Sequence, residues 1–426
     1  MDDLVRESIN NYRKYGVTDK AIEAACKAEE ALKDVYARID DIVTYNELKV
    51  LDAFRSEKFS DTHMGSTSGY GYDDVGREKI ENIFAKVFGA QKAYVRWQIS
   101  TGSQAISAML YGALRPGDIM LSVTGRPYDT LMATIGLSSG NNDMSLMSYG
   151  IKYEEVDLKA DGTPDLDAIK AAIKPETKMV FIQKSRGYTG RRALLCEDIE
   201  KIALLAHSVR EDIIVAVDNC YGEFTEKKEP TEVGADVIAG SLIKNPGGGI
   251  ARTGGYIAGR EDLVENAARH LTTPGLGSEI GPTMGANSMI ARGLFTAPAC
   301  VGECLKGAVF AAEILGSEGY KTSPKSAEAR GDIVQTIEFG DPKMMEQFCC
   351  AIQSCSPVDS FVTPVPWDMP GYDDQVIMAA GAFVQGATTE LSCDGPMKPP
   401  YIAYMQGSLA KEQAKLACML AVGGKE

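Results

Sequence analysis

Apolar residues recur along this chain in two rhythms, and the points where the rhythm changes divide it. Residues 1–60 read as helical and polar. Within them Ala21-Ile-Glu-Ala-Ala-Cys-Lys-Ala-Glu-Glu-Ala-Leu32 consists of good helix formers behind a Thr18-Asp19 cap. This arm holds too little apolar surface for a core of its own, so it is expected to pack on the rest of the protein or on a partner subunit. From about residue 75 helical spacing alternates with short, solid apolar runs. Ile80, Phe84, Val87 and Phe88 share one helical face, whereas 119–123, 179–182, 213–217 and 237–243 are continuous apolar segments of the kind buried in a parallel sheet. Helix candidates at 165–173 and 197–207 lie between them, and alternation of this sort predicts an α/β domain with a mostly parallel sheet over 61–295. After Pro298 the style changes again. The segment 333–339 alternates like a half-exposed strand, 342–354 and 409–420 read as helices, and 375–383 as a further strand. A smaller α+β C-terminal domain over 296–426 is the expectation.

A length of 426 residues fits more than one domain, and 44% hydrophobic with 24% charged residues is an ordinary globular composition. A formal charge of −15 argues against nucleic acid or an anionic membrane as partner. No stretch is long and apolar enough to span a bilayer, and the N-terminus has neither a basic nor an apolar leader region, which predicts a cytoplasmic protein. Ten cysteines without a C-x-x-C pair read as buried thiols, and three histidines (His63, His207 and His270) make a metal centre or a Ser-His-Asp triad a poor fit. No metal is expected.

The chemistry concentrates at strand ends. The run Asp236-Val-Ile-Ala-Gly-Ser-Leu-Ile-Lys244 ends on a lysine and opens into Asn245-Pro246-Gly-Gly-Gly249. A lysine there is poorly placed for solvation and well placed to meet a ligand at the carboxyl edge of a parallel sheet. The neighbouring run Ile213-Ile-Val-Ala-Val-Asp218 ends on an acid. An amine and a carboxylate on one edge suit pyridoxal 5'-phosphate: the amine bonds the aldehyde and the acid keeps the ring nitrogen protonated. Burial should then depress the Lys244 pKa and make the amine nucleophilic. Ser100-Thr-Gly-Ser-Gln-Ala-Ile106 precedes a helix with apolar positions at 106, 109, 110, 113 and 114. Its free N–H groups, with Gly102 for close approach and Thr101, Ser103 and Gln104 as added donors, could bind a phosphate; in isolation a plain N-cap is the simpler reading. Tyr128 is either a turn aromatic after Pro127 or a residue lying on the cofactor ring, and Ser241 either reaches the phosphate or satisfies a backbone group. Gly247-Gly-Gly-Ile-Ala-Arg-Thr-Gly-Gly255 precedes a strand and so is no dinucleotide fingerprint. The pairs Asp73-Asp74 and Asp373-Asp374 read as solvated turns.

Together with Val217-Asp-Asn-Cys-Tyr-Gly-Glu223, Thr273-Pro-Gly-Leu-Gly277 and Pro399-Pro-Tyr-Ile-Ala-Tyr-Met-Gln-Gly407, these motifs resemble the fold-type I pyridoxal-phosphate enzymes of cysteine and methionine metabolism. The resemblance is closest to the aluminium-resistance branch of the methionine γ-lyase family, also labelled cystathionine β-lyase-like. It implies a Schiff-base lysine at Lys244 and a pyridine-nitrogen partner at Asp218. It also implies phosphate binding by the Gly102 and Ser103 backbone and the Ser241 hydroxyl, and stacking by Tyr128. The implied activity is β- or γ-elimination on a sulfur-containing amino acid such as cystathionine, methionine or cysteine. Other pyridoxal-phosphate chemistry on an amino acid, or an inert cofactor-binding stress protein, are the rivals. A homodimer or homotetramer with the active site at the subunit boundary is implied as well. The chain departs from the larger group in two places. Ser68-Gly-Tyr-Gly-Tyr-Asp-Asp-Val-Gly-Arg77 carries Tyr70 and Tyr72 where a neighbouring-subunit arginine is usual at the phosphate. The basic residue for the substrate carboxylate is open among Arg186, Arg330 and Lys398.

Overall fold

The structure, a computed structural model, describes residues 11–138, 144–369 and 374–423. It divides into two compact units, Tyr45–Ala297 and a second made of Met1–Thr44 with Pro298–Glu426. The arm read over 1–60 is shared between them, because its helix Lys33–Ser56 runs across the division.

The larger unit is built on a seven-stranded sheet: β1 (Lys92–Arg96), β2 (Ile119–Ser122), β3 (Lys152–Glu155), β4 (Thr177–Gln183), β5 (Ile214–Asp218), β6 (Val237–Ser241) and β7 (Gly255–Gly259), in the order β1-β7-β6-β5-β4-β2-β3. Five neighbours from β6 to β3 are parallel, and β7 is antiparallel to both β6 and β1. All five residues of β5 and of β6 are buried, which is why their sequences are solid apolar runs and not alternating ones. The helices Gly102–Ala113 and Glu261–Leu271 pack on each other and on this sheet, closely enough that a Cβ at Gly112 would lie 2.7 Å from the Ala267 nitrogen. Register aligns Gln183 with Asp218 and Asp218 with Ala239, so β4, β5 and β6 end side by side. Their last residues, Gln183, Asp218 and Ser241, line one carboxyl edge, where open α/β sheets bind ligands.

One strand boundary differs from expectation. The run expected to be strand through Ile243 stops at Ser241, because the Leu242 N–H turns to the Gly254 carbonyl and the Lys244 N–H to that of Ser241. Lys244 therefore stands three residues past the strand and caps the short 3₁₀ turn Asn245–Gly247.

The second unit carries a five-stranded antiparallel sheet, β8 (Lys321–Ser323), β9 (Val334–Glu338), β10 (Val376–Ala379), β11 (Ser392–Pro396) and β12 (Ile402–Gln406), ordered β10-β11-β12-β9-β8. Helix Pro342–Ser354 covers it, helix Lys411–Gly423 packs on that helix, and helix Asp19–Ala31 packs on Lys411–Gly423. The last of these is capped by the Thr18 hydroxyl accepting from the Ala21 N–H. The expected half-exposure of 333–339 is not found: Gln335 and Thr336 are buried, and Gln335 is satisfied by Arg330 and the Pro324 carbonyl. None of the ten cysteines is in a disulfide. Among the described residues no acidic, histidine or cysteine cluster could hold a metal, and no helix is long and apolar enough to cross a membrane.

Candidate active site

Lys244 leaves a tight turn whose bonds fix its direction: the Gly247 N–H returns to the Lys244 carbonyl, and Pro246 holds the next position. The residue as a whole is half-buried, and its Nζ lies 4.0 Å from the centroid of the Tyr221 ring. Asp218, one strand over, is buried, with Oδ1 accepting the Cys220 N–H at 3.1 Å. Burial raises the Asp218 carboxyl above its usual range, opposed by the Lys244 charge, by the Cys220 N–H and thiol, and by Arg191. Lys244 feels the same neighbours from the other side. Burial acts downward on its amine, but Cys220, Tyr221, Asp218 and Tyr128 outweigh it and the net displacement is upward. The expected depression of the Lys244 pKa is thus corrected to a net rise: burial does act downward, and the surrounding groups, Cys220 and Tyr221 ahead of Asp218 and Tyr128, reverse it.

The third wall is the start of helix Gly102–Ala113. Thr101 caps it, its hydroxyl accepting from the Gln104 N–H at 3.0 Å, and the Gln104 side-chain oxygen accepts from the Ser100 N–H and hydroxyl. Both side chains are therefore engaged in capping, which is the plain reading of that run. The Gly102 and Ser103 N–H groups, first in the helix, have no carbonyl within it to bond, and their end of the helix dipole is positive. Gly102 brings this terminus against the sheet edge: a Cβ there would stand 3.0 Å from the Ser241 Cβ and 3.2 Å from the Cys220 Sγ. Ser241 is buried, its hydroxyl 3.4 Å from the Ile243 N–H. The Ser103 hydroxyl meets Tyr128, whose phenol is pushed up by burial and by Asp218 and Cys220, while Lys244 acts the other way. Lys244, Asp218, Tyr128, Gly102, Ser103 and Ser241 thus come together at one edge.

Each of the remaining candidates has surroundings of its own. Tyr70 and Tyr72 are exposed and stacked on each other, centroids 5.7 Å apart. The loop that carries them is held by Arg77, buried and donating to the carbonyls of Gly71, Gly281 and Glu279. Asp74, expected in a solvated turn, is instead buried. It caps helix Val75–Val87 through the Arg77 N–H and accepts from Thr67, Thr283 and Asn287, which together overcome burial and lower its pKa. Asp373 lies outside the described residues. Arg186 is buried in the segment after β4. In the second unit Arg330 is buried and donates to the Gln335 side chain at 2.6 Å, while exposed Lys398 pairs with Asp374 at 3.2 Å.

Four residues at the edge escaped the sequence reading. Cys220 and Tyr221 follow Asp218 and look like loop filler, yet the Cys220 N–H donates to Asp218 and the Tyr221 ring faces the Lys244 amine. Asn245 is buried and donates to the Tyr221 and Glu223 carbonyls at 3.0 and 2.9 Å. Gln183 accepts the Tyr128 N–H at 3.3 Å and so fixes that tyrosine from the neighbouring strand. Only its place at the end of an apolar run, like that of Asp218, could have marked it.

The geometry agrees with what the chain is similar to. Residues 21–425 match the methionine gamma-lyase family. YnbB, an uncharacterized protein of Bacillus subtilis, is 47% identical over 400 residues, covering 94% of this chain and 95% of its own. A carbon–sulfur lyase involved in aluminum resistance from Clostridium novyi NT superposes with a TM-score of 0.94 at 47% identity, over 97% of this chain and 98% of that one. At 16% identity, the pyridoxal-5'-phosphate dependent protein YhfS of Escherichia coli shares the fold, with a TM-score of 0.61 over 90% of this chain and 96% of its own. The fold is that of the fold-type I enzymes, a mostly parallel sheet in a large unit with a smaller antiparallel one. The chain belongs to the methionine gamma-lyase family.

Proposed function

We propose that the protein is a pyridoxal-phosphate-dependent carbon–sulfur lyase that eliminates a thiol from a sulfur-containing amino acid. The observation that carries this reading is a buried carboxyl group, Asp218, at the end of β5 with the Lys244 amine over the ring of Tyr221, three residues further on, in a chain of this family. The residues present fit the cofactor. A positive helix terminus with unpaired N–H groups at Gly102 and Ser103 suits the phosphate, with the Ser241 hydroxyl beside it. A buried acid suits the ring nitrogen, and the Tyr128 face suits the ring. Bound there, pyridoxal phosphate supplies an electron sink for the charge left at the substrate α-carbon.

Each side chain then has one task. The Lys244 amine would hold the cofactor through its aldehyde carbon and, when free, would serve as the base for the proton at the substrate α-carbon. Asp218 keeps the ring nitrogen protonated from a buried position where water cannot compete. Ser103 and Gln183 hold Tyr128 from two sides. An arginine meets the substrate carboxylate with two parallel donors, which a lysine, as a point charge, does not offer. The working protein is a homodimer or a pair of them, Tyr70 or Tyr72 reaching the neighbouring subunit's phosphate.

A substrate panel tests the reading. Cystathionine, methionine, cysteine and alanine are each mixed with the protein and cofactor while thiol, ammonia and oxo acid are assayed. The lyase releases all three products from a sulfur substrate, and Lys244→Ala releases none. Oxo acid without ammonia or thiol identifies an aminotransferase, and no product from any substrate an inert binder.

A further inference from the structure

Tyr221 has no task in the mechanism above, yet its ring face stands 4.0 Å from the Lys244 nitrogen. A lysine ammonium at that distance over an aromatic face is attracted by the ring's negative quadrupole. The backbone beneath the ring is unusual. Tyr221 has φ +70°, and Phe224, three residues on, has φ +63°, both in the left-handed region that bulky side chains rarely adopt. Such a turn persists only where its surroundings over-determine it. Here the Asn245 amide donates to the carbonyls of Tyr221 and Glu223, and Lys184 Nζ donates to the Gly222 carbonyl between them at 3.2 Å. Asn245 is the residue next to Lys244, so a single peptide link joins the amine's own backbone to the clamp on the turn that carries the ring. A tyrosine that merely filled space would need neither the left-handed turn nor the clamp.

We infer that Tyr221 is a positioning residue for Lys244: its ring face holds the ammonium beside the Asp218 end of β5, and Asn245 holds the backbone that carries the ring. The inference rests on the reading of Lys244 as the reacting amine. Lys244 also interacts with Asp218, Cys220, Tyr128 and Glu223, which are left in place by a change at Tyr221. Losing the ring face removes one stabiliser of the charged form, so the neutral, reactive amine becomes more abundant at a given pH.

The test reads that amine without turnover. The full chain, freed of cofactor, is treated with cyanate between about pH 7 and 10, a range that spans the onset of lysine deprotonation. Carbamylation of Lys244 is followed by peptide mass spectrometry, with exposed Lys398 as internal reference. Tyr221→Leu is expected to carbamylate Lys244 about ten-fold faster at each pH, and Tyr221→Phe, which keeps the ring face, within about two-fold of the unaltered protein. Lys398 should react alike in all three. An unchanged rate in Tyr221→Leu, or a Tyr221→Phe as fast as Tyr221→Leu, overturns the inference. If Tyr221→Leu does not fold, Tyr221→Met replaces it with the same two outcomes. Failure to release thiol while the ten-fold gap persists sinks the lyase reading alone; turnover without the gap sinks the positioning role alone.

Discussion

Buried carboxyl groups beside Lys244 set the chemistry at the scale of single residues. Asp218→Asn keeps the shape of the site and loses the charge that protonates the ring nitrogen. It should still take up cofactor, seen as absorption at the edge of the visible, while thiol release falls by about a hundred-fold or more. Turnover equal to the unaltered protein would remove Asp218 from the mechanism. Glu223 offers a pH test. It is buried, accepts the Tyr256 hydroxyl at 2.7 Å, and burial is the main cause pushing its carboxyl from 4.5 to about 8. A raised folded-state pKa means the native state binds more protons, so its stabilising contribution is full below 4.5 and is lost as pH rises through about 8. Glu223→Gln, which keeps an acceptor for Tyr256 and cannot ionise, should therefore gain stability relative to the unaltered protein as pH rises from 5 to 8. Urea melts at both pH values measure this, and a difference that does not change with pH contradicts it.

Elements carry what single residues cannot, namely the close approach of the helix Gly102–Ala113 to the ends of β5 and β6. Gly102→Ala places a methyl 3.0 Å from the Ser241 Cβ and 3.2 Å from the Cys220 Sγ, tighter than side chains normally pack. With Ser241 and Cys220 both buried at the sheet edge, the expected relief is a shift of the helix end by a few tenths of an ångström, at about 1–3 kcal/mol in stability. Cofactor affinity should drop by about ten-fold as the N–H groups leave the phosphate. Calorimetry and a spectroscopic titration read the two effects, and unchanged affinity would place the phosphate elsewhere. At this scale the sequence was most legible where burial was complete. The solid runs that became β4, β5 and β6 could be seen because both faces of each strand are covered, so no polar residue interrupts them. It was least legible where long-range bonds decide the conformation. Lys244 stands beyond its strand because Gly254 captures the Leu242 N–H, and Asp74 is buried because Thr283 and Asn287, over two hundred residues away, complete its shell. Asp218 and Lys244 were found from strand endings alone, whereas Tyr221 and Asn245 needed the turn that joins them.

Over the whole molecule, a formal charge of −15 weakens unaided attraction to nucleic acid or an anionic membrane. The proposed assembly is checked by light scattering, which should give two or four times the chain mass of 45.8 kDa. A monomer that still released thiol would contradict the shared site. Replacing both Tyr70 and Tyr72 by serine should weaken cofactor binding by about ten-fold if one of them serves a neighbouring subunit's phosphate. The central claim is more direct, since it names one nitrogen among the chain's lysines. Pyridoxal phosphate is added to the purified protein, the mixture is reduced with borohydride, and the digest is mapped by mass spectrometry. The account predicts a pyridoxyl group on Lys244 alone; a label on the fully buried Lys184, or spread over surface lysines with Lys244 unmodified, would contradict it.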